Sequence, residues 1–145
     1  MSPRRWIPTM MKARQAAEDV AALQAAVAQR ESDLAEQDVV NETARIESME
    51  VAGTESAQAF LASTAARQAA AATHAASVHR ATFARARHAR TVNDLTAASR
   101  DRRSVEKLAE RELAEERAKT LSNAQREMDD QTVTRHGRSS QRRFG

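Results

Sequence analysis

The sequence IESMEVAGTESAQAF, residues 46–60, contains Gly53, and the only other glycines of the chain lie near its end. Glycine readily adopts the positive φ values that end a helix, and the nearby Thr54 and Ser56 are residue types that cap the next one. On both sides the sequence is rich in Ala, Glu, Leu, Arg and Gln, which are strong helix formers. The stretch therefore predicts a turn at about 51–55 between two long helices.

The two helices are expected to extend to the next helix-breaking signals. Pro8 is acceptable in a first helical turn because its missing N–H has no intrahelical partner there, so helix 1 is predicted at about 9–50. No proline or glycine interrupts helix 2, which is predicted at about 56–135. Residues 1–136 would then form a single hairpin domain, and residues 137–145 a basic flexible tail.

The composition excludes most other fold classes. The 145 residues include 3% aromatics, three glycines, two prolines and no cysteine. So few turn residues and large apolar side chains disfavour a sheet or an α/β core, and disulfide or thiolate chemistry is impossible. No apolar run approaches the roughly 20 residues of a membrane span, and no secretory leader is apparent, so we expect a cytoplasmic protein. The predicted fold is all-α: a two-helix antiparallel coiled-coil hairpin with a long overhanging second helix.

Apolar residues at alternating steps of three and four predict how the helices pack. In helix 1 the row of larger residues is broken at Arg30 and shifts after Leu34, which indicates a stutter. In helix 2 half of the residues in the row are alanine. The residues expected at the contact are Ala13, Ala16, Val20, Leu23, Val27, Leu34, Val39, Thr43, Ile46 and Met49 in helix 1, and Phe60, Leu61, Ala65, Ala69, Ala72, Ala76, Phe83, Val92, Leu95 and Ala98 in helix 2.

Charge also favours pairing of the two helices. Residues 1–50 carry 6 Lys/Arg and 9 Asp/Glu, a net of −3, whereas residues 51–90 carry 5 Arg and one Glu, a net of +4. A fold at Gly53 places the acidic segment beside the basic one. It also leaves residues 98–135 of helix 2 without a partner, and a long charged helix that buries little is expected to contact another protein or to fray.

Both ends of the chain carry segments that resemble a known family. Arg5-Trp6-Ile7-Pro8 precedes a basic amphipathic segment, residues 102–111 read RRSVEKLAER, and Glu127-Met128-Asp129-Asp130 follows with Arg135. In this order the segments resemble the FliJ family of flagellar export proteins. The resemblance implies a coiled-coil hairpin similar to the stalk of rotary ATPases. It also implies a non-enzymatic component of the flagellar type III protein export apparatus, needed for flagellum assembly and motility.

The resemblance implies three partners: the hexameric flagellar export ATPase, a membrane export gate protein and export chaperones. Through them the chain would associate peripherally with the inner face of the cell membrane. Phe60 resembles the aromatic that the family places on the gate side near the turn. The residues implied on the ATPase side are Trp6, Arg102, Arg103, Glu106, Lys107, Leu108, Glu110 and Arg111.

Other interpretations stay open from sequence alone. The run from Glu106 to Arg111 is also typical of a solvated helix with intrahelical ion pairs. A basic coiled coil that binds nucleic acid, a structural dimer and a stalk of a virulence-type secretion system are the alternatives. No catalytic motif is visible, and the four histidines lack the spacing of a helical metal pair. We therefore expect no enzyme activity, cofactor, metal or nucleic acid.

Overall fold

The structure, a computed structural model, describes residues 6–49 and 56–141 and contains two helices in this part of the chain, α1 (Trp6–Glu47) and α2 (Ala57–Gln141). The predicted all-α class is confirmed. Pro8 lies in the first turn of α1, while the predicted turn at 51–55 lies outside the described residues. α2 continues beyond its predicted end at Arg135 because one glycine costs only about 1 kcal/mol within a helix.

Local hydrogen bonds explain the inner ends of both helices. The Ser56 hydroxyl accepts a hydrogen bond from the backbone N–H of Ala59 at 3.1 Å, which is the N-cap geometry. Ser56 is therefore the cap of α2, one of the two residues predicted for that role. At the end of α1, the N–H of Met49 donates to the carbonyl of Ile46 at 3.1 Å, so the last turn tightens to the three-residue spacing.

The chain divides into two compact units, of which Lys12–Asp101 is the larger. Within it the helices are antiparallel, because contacts that move forward along α1 move backward along α2. Arg14 bonds Asp101 at 3.0 Å, Glu31 pairs with Arg87 at 2.8 Å, and the Thr43 hydroxyl lies 3.2 Å from Nε2 of His74.

Small residues form the contact between the two helices of this unit. Ala28 is 2% exposed and Ala70 is fully buried, as is Ser77. Most of the buried and half-buried positions follow one unbroken heptad pattern along each helix, so the predicted stutter is wrong. The positions are Arg14, Glu18, Ala21, Ala25, Ala28, Ser32, Ala35, Val39, Glu42, Ile46 and Met49 in α1, and Ala70, His74, Ser77, Ala81, Ala84, His88, Thr91, Leu95 and Ala98 in α2.

The larger residues predicted at this contact are mostly on the outside. Leu23 is 67% exposed, Leu34 69% and Phe83 69%. Val39, Ile46 and Met49 in α1 and Leu95 and Ala98 in α2 were predicted correctly. The observed orientation brings the helices close together across small side chains. It also directs Glu36 and Glu31 toward Arg85 and Arg87 of α2, at 2.6 and 2.8 Å.

The other unit comprises Met1–Met11 and Arg102–Gly145. Its buried side chains include Ile7 of α1 and Val105 of α2. Every side chain described from residue 117 to residue 136 is exposed. α2 was predicted to be unpaired from Ala98 onward. That starting point is wrong, because in the unit Lys12–Asp101 Ala98 is half-buried and the Ser99 hydroxyl donates to Glu18 at 2.7 Å.

Within the described ranges, neither helix contains an apolar stretch long enough to cross a membrane.

Candidate interaction surfaces

An apolar groove lies in the unit formed by Met1–Met11 and Arg102–Gly145. Its walls are Ile7 and Pro8 of α1 and Ala109 and Leu113 of α2, and its volume is about 270 Å³. Two carboxylates, Glu112 and Glu116, also line it. The groove is suited to a large apolar side chain with a cationic neighbour, because apolar walls favour burial and carboxylates favour a nearby positive charge.

The segment RRSVEKLAER is divided between two faces of α2. Val105 is buried, and Arg102 donates to Glu106 at 3.1 Å in an i,i+4 ion pair. The opposite face is in solvent, as are Trp6 and Leu108. The predicted ATPase-side residues with exposed positions are Trp6, Arg103, Lys107, Leu108, Glu110 and Arg111. The intrahelical pair accounts for Arg102 and Glu106, and the other four charged residues are exposed to solvent.

Phe60, the predicted gate-side residue, lies in the first turn of α2 within the unit Lys12–Asp101. Its side chain is 56% exposed, and its carbonyl accepts a hydrogen bond from Thr64 at 2.9 Å. Leu61 beside it is also exposed. The start of α2 therefore presents two adjacent large apolar side chains to solvent, a surface of the kind that partners bind.

Histidines contribute to helix pairing. His74 and His88 occupy heptad positions at the contact, and Nδ1 of His88 is buried without a hydrogen-bond partner. Over residues 6–49 and 56–136, no three His, Asp or Glu side chains are grouped in a way that would hold a metal ion.

Basic residues of α2 are partly neutralised by α1. Nε of Arg85 donates to Glu36 at 2.6 Å, and Arg87 donates to Glu31 at 2.8 Å. The alternative of a nucleic-acid-binding coiled coil would need basic residues such as these to contact phosphate groups. Because their charges are paired across the helices, they have less to contribute to a nucleic-acid surface.

The sequence analysis missed the groove residues Ala109, Glu112, Leu113 and Glu116. A signal for three of them was present: starting from Val105, the positions 109, 112 and 116 continue the alternating steps of four and three. They were overlooked because alanine and glutamate in a charged helix resemble solvent-exposed positions.

Comparisons with known proteins give no relatives. No family model, no curated protein and no solved structure matches this chain.

Proposed function

We propose that this chain is a coiled-coil stalk of the flagellar type III export apparatus that binds the export ATPase and links it to the export gate and to export chaperones. One observation carries the proposal. The two terminal segments that resemble the FliJ family, Arg5–Pro8 and Arg102–Arg111, belong to one compact unit. Ile7 from the first segment and Val105 from the second are both buried there.

The exposed residues of that unit supply the proposed ATPase contact. Arg103, Lys107, Glu110 and Arg111 form a charged face, and Trp6 adds an aromatic side chain of the type enriched at binding hot spots. Association through such a face is steered by charge and weakens as salt rises. On the gate side, Phe60 supplies an apolar contact. A stalk with these surfaces would act by assembly and mechanical coupling, with no chemical step of its own.

Binding to the cognate export ATPase tests the proposal. The full-length chain is used to capture the ATPase at low and high salt, and ATP hydrolysis is measured with and without the chain. Lys107→Glu combined with Arg111→Glu should weaken binding at least tenfold, because both exposed charges are reversed. Arg90→Glu reverses an exposed charge in the other unit and serves as the matched control.

Binding by the wild type and the control, with loss in the double variant and a changed hydrolysis rate, would support the stalk function. Absence of ATPase binding by the wild-type chain at low salt would refute it. Equal loss in the control would refute the assignment of the contact to residues 103–111.

A further inference from the structure

The outward face of α1 carries a second row of apolar side chains. Val20, Leu23, Val27 and Leu34 follow the steps of three and four on the side opposite the buried alanines, and all four are exposed. Arg30 occupies the one remaining position of the row. The largest apolar residues in this part of α1 are thus in water while alanines fill the helix contact. A continuous exposed apolar row of this kind marks an interaction surface.

The outward face of α2 in the same unit carries a row of complementary size. Its members are mostly alanine and end near Phe83, which is itself exposed. Small residues on one helix receive large side chains from another, because the backbones can approach closely. The row consists of Ala65, Ala69, Ala72, Ala76, Phe83 and Ala86, with His79 at the remaining position.

The charges of the two helices are also complementary. Apart from the pairs Glu31–Arg87 and Glu36–Arg85 made within one chain, residues 6–47 carry 4 Lys/Arg and 6 Asp/Glu, a net of −2, and residues 57–97 carry 3 Arg and one Asp, a net of +2. Asp19 and Asp33 flank the row on α1. Contact of α1 with another α1 would bring like charges together, whereas contact of α1 with α2 brings opposite charges together.

We propose that the outward face of α1 binds the outward face of α2 of a second copy of this chain. Because Arg85 pairs with Glu36 within one chain, Phe83 lies within about one helical turn of the level of Leu34. A copy placed beside the first at the same height would therefore bring only Leu34 and Phe83 together, so the two rows meet along their length when the second copy is displaced along the helix axis by roughly 25 Å. The interface joins two different faces, so each added copy leaves one face of each kind free and the assembly grows as an open chain. This association does not depend on the proposed export function.

The test uses two full-length variants, each with one face blocked. Leu23→Gln with Leu34→Gln blocks the α1 face, and Ala76→Glu with Phe83→Glu blocks the α2 face. All four positions are exposed, so the helix pair is retained, and circular dichroism verifies this. Leu121→Gln changes an equally exposed leucine outside both rows and is the matched control.

Sedimentation equilibrium gives the result. The mass of the wild type and of the control should rise continuously with concentration between about 10 μM and 1 mM, the range of a modest helix-to-helix interface. Each blocked variant should associate at least tenfold more weakly. A 1:1 mixture of the two variants should associate again, but only into dimers. Each variant retains one unblocked face, and after the two unblocked faces bind each other none is left to add a third chain. A wild type that stays monomeric, or a mixture that does, would overturn the proposal, as would equal loss in the control.

Discussion

Substitutions at Ala28 and Leu23 distinguish the observed helix contact from the one that residue size suggests. Ala28 is 2% exposed at the contact, whereas Leu23 is 67% exposed on the outward face. Leucine at position 28 would force bulk between closely packed helices, and overpacking of this kind costs about 1–3 kcal/mol. Alanine at position 23 removes a side chain that is only about one third buried. Since full burial of leucine contributes about 1.5–3 kcal/mol, the loss should be about 0.5–1 kcal/mol.

The assay is thermal unfolding followed by circular dichroism at low protein concentration. For a domain of this size 1 kcal/mol corresponds to about 2–4 °C, so a cost of 2 kcal/mol for Ala28→Leu lowers Tm by about 4–8 °C. Leu23→Ala should lower it by less than about 4 °C. Ala26→Leu, at an exposed position of the same helix, controls for the effect of leucine on helix propensity.

The opposite ranking of the two losses of Tm would refute the observed contact. If Leu23 were at the helix contact, its truncation would cost about 2–5 kcal/mol. A larger loss of Tm for Leu23→Ala than for Ala28→Leu, with Ala26→Leu unchanged, is therefore incompatible with the structure.

Two further predictions concern polar contacts. Reversing Glu31 and Glu36 to Arg should destabilise the helix pair by about 0.5–2 kcal/mol, a modest amount because both ion pairs are exposed. Adding Arg85→Glu and Arg87→Glu should restore Tm, and about 1 M salt should reduce the difference; a quadruple variant as unstable as the first would contradict the pairing. Ser56→Ala should cost about 1 kcal/mol, seen as faster hydrogen exchange in the first turn of α2, and Ser56→Asp should retain protection. Equal exchange in all three chains would show that the cap is not stabilising.

The helical class and the cap at Ser56 were predictable because they depend on local chemistry. Helix propensity and capping act within a few residues. The identity of the buried face was not predictable in the same way. Two rows in α1 share one period, and the choice of the larger side chains around Leu23 gave the wrong face. The charges held part of the missing information, because Glu36 faces Arg85 when the alanines are inside and points away from α2 when the row through Leu23 is inside.

The groove residues were missed for a related reason. Glu112 and Glu116 are charged, and their position next to an apolar space depends on how Ile7 and Pro8 pack against α2. That packing joins residues that are more than a hundred positions apart in the sequence, and local periodicity does not predict such a contact. The exposure of Arg103, Lys107, Glu110 and Arg111, by contrast, followed directly from their charge.

A contact made of alanines has little power to fix the alignment of its two helices along their axes. In the central heptads, a slide of seven residues, about 10 Å, again places small side chains against small side chains. What distinguishes one alignment from the next is the set of polar contacts, namely Glu31 with Arg87, Glu36 with Arg85 and Thr43 with His74. A ligand or protein that competes for those charges therefore acts on the axial position of the helices and leaves their helical content unchanged.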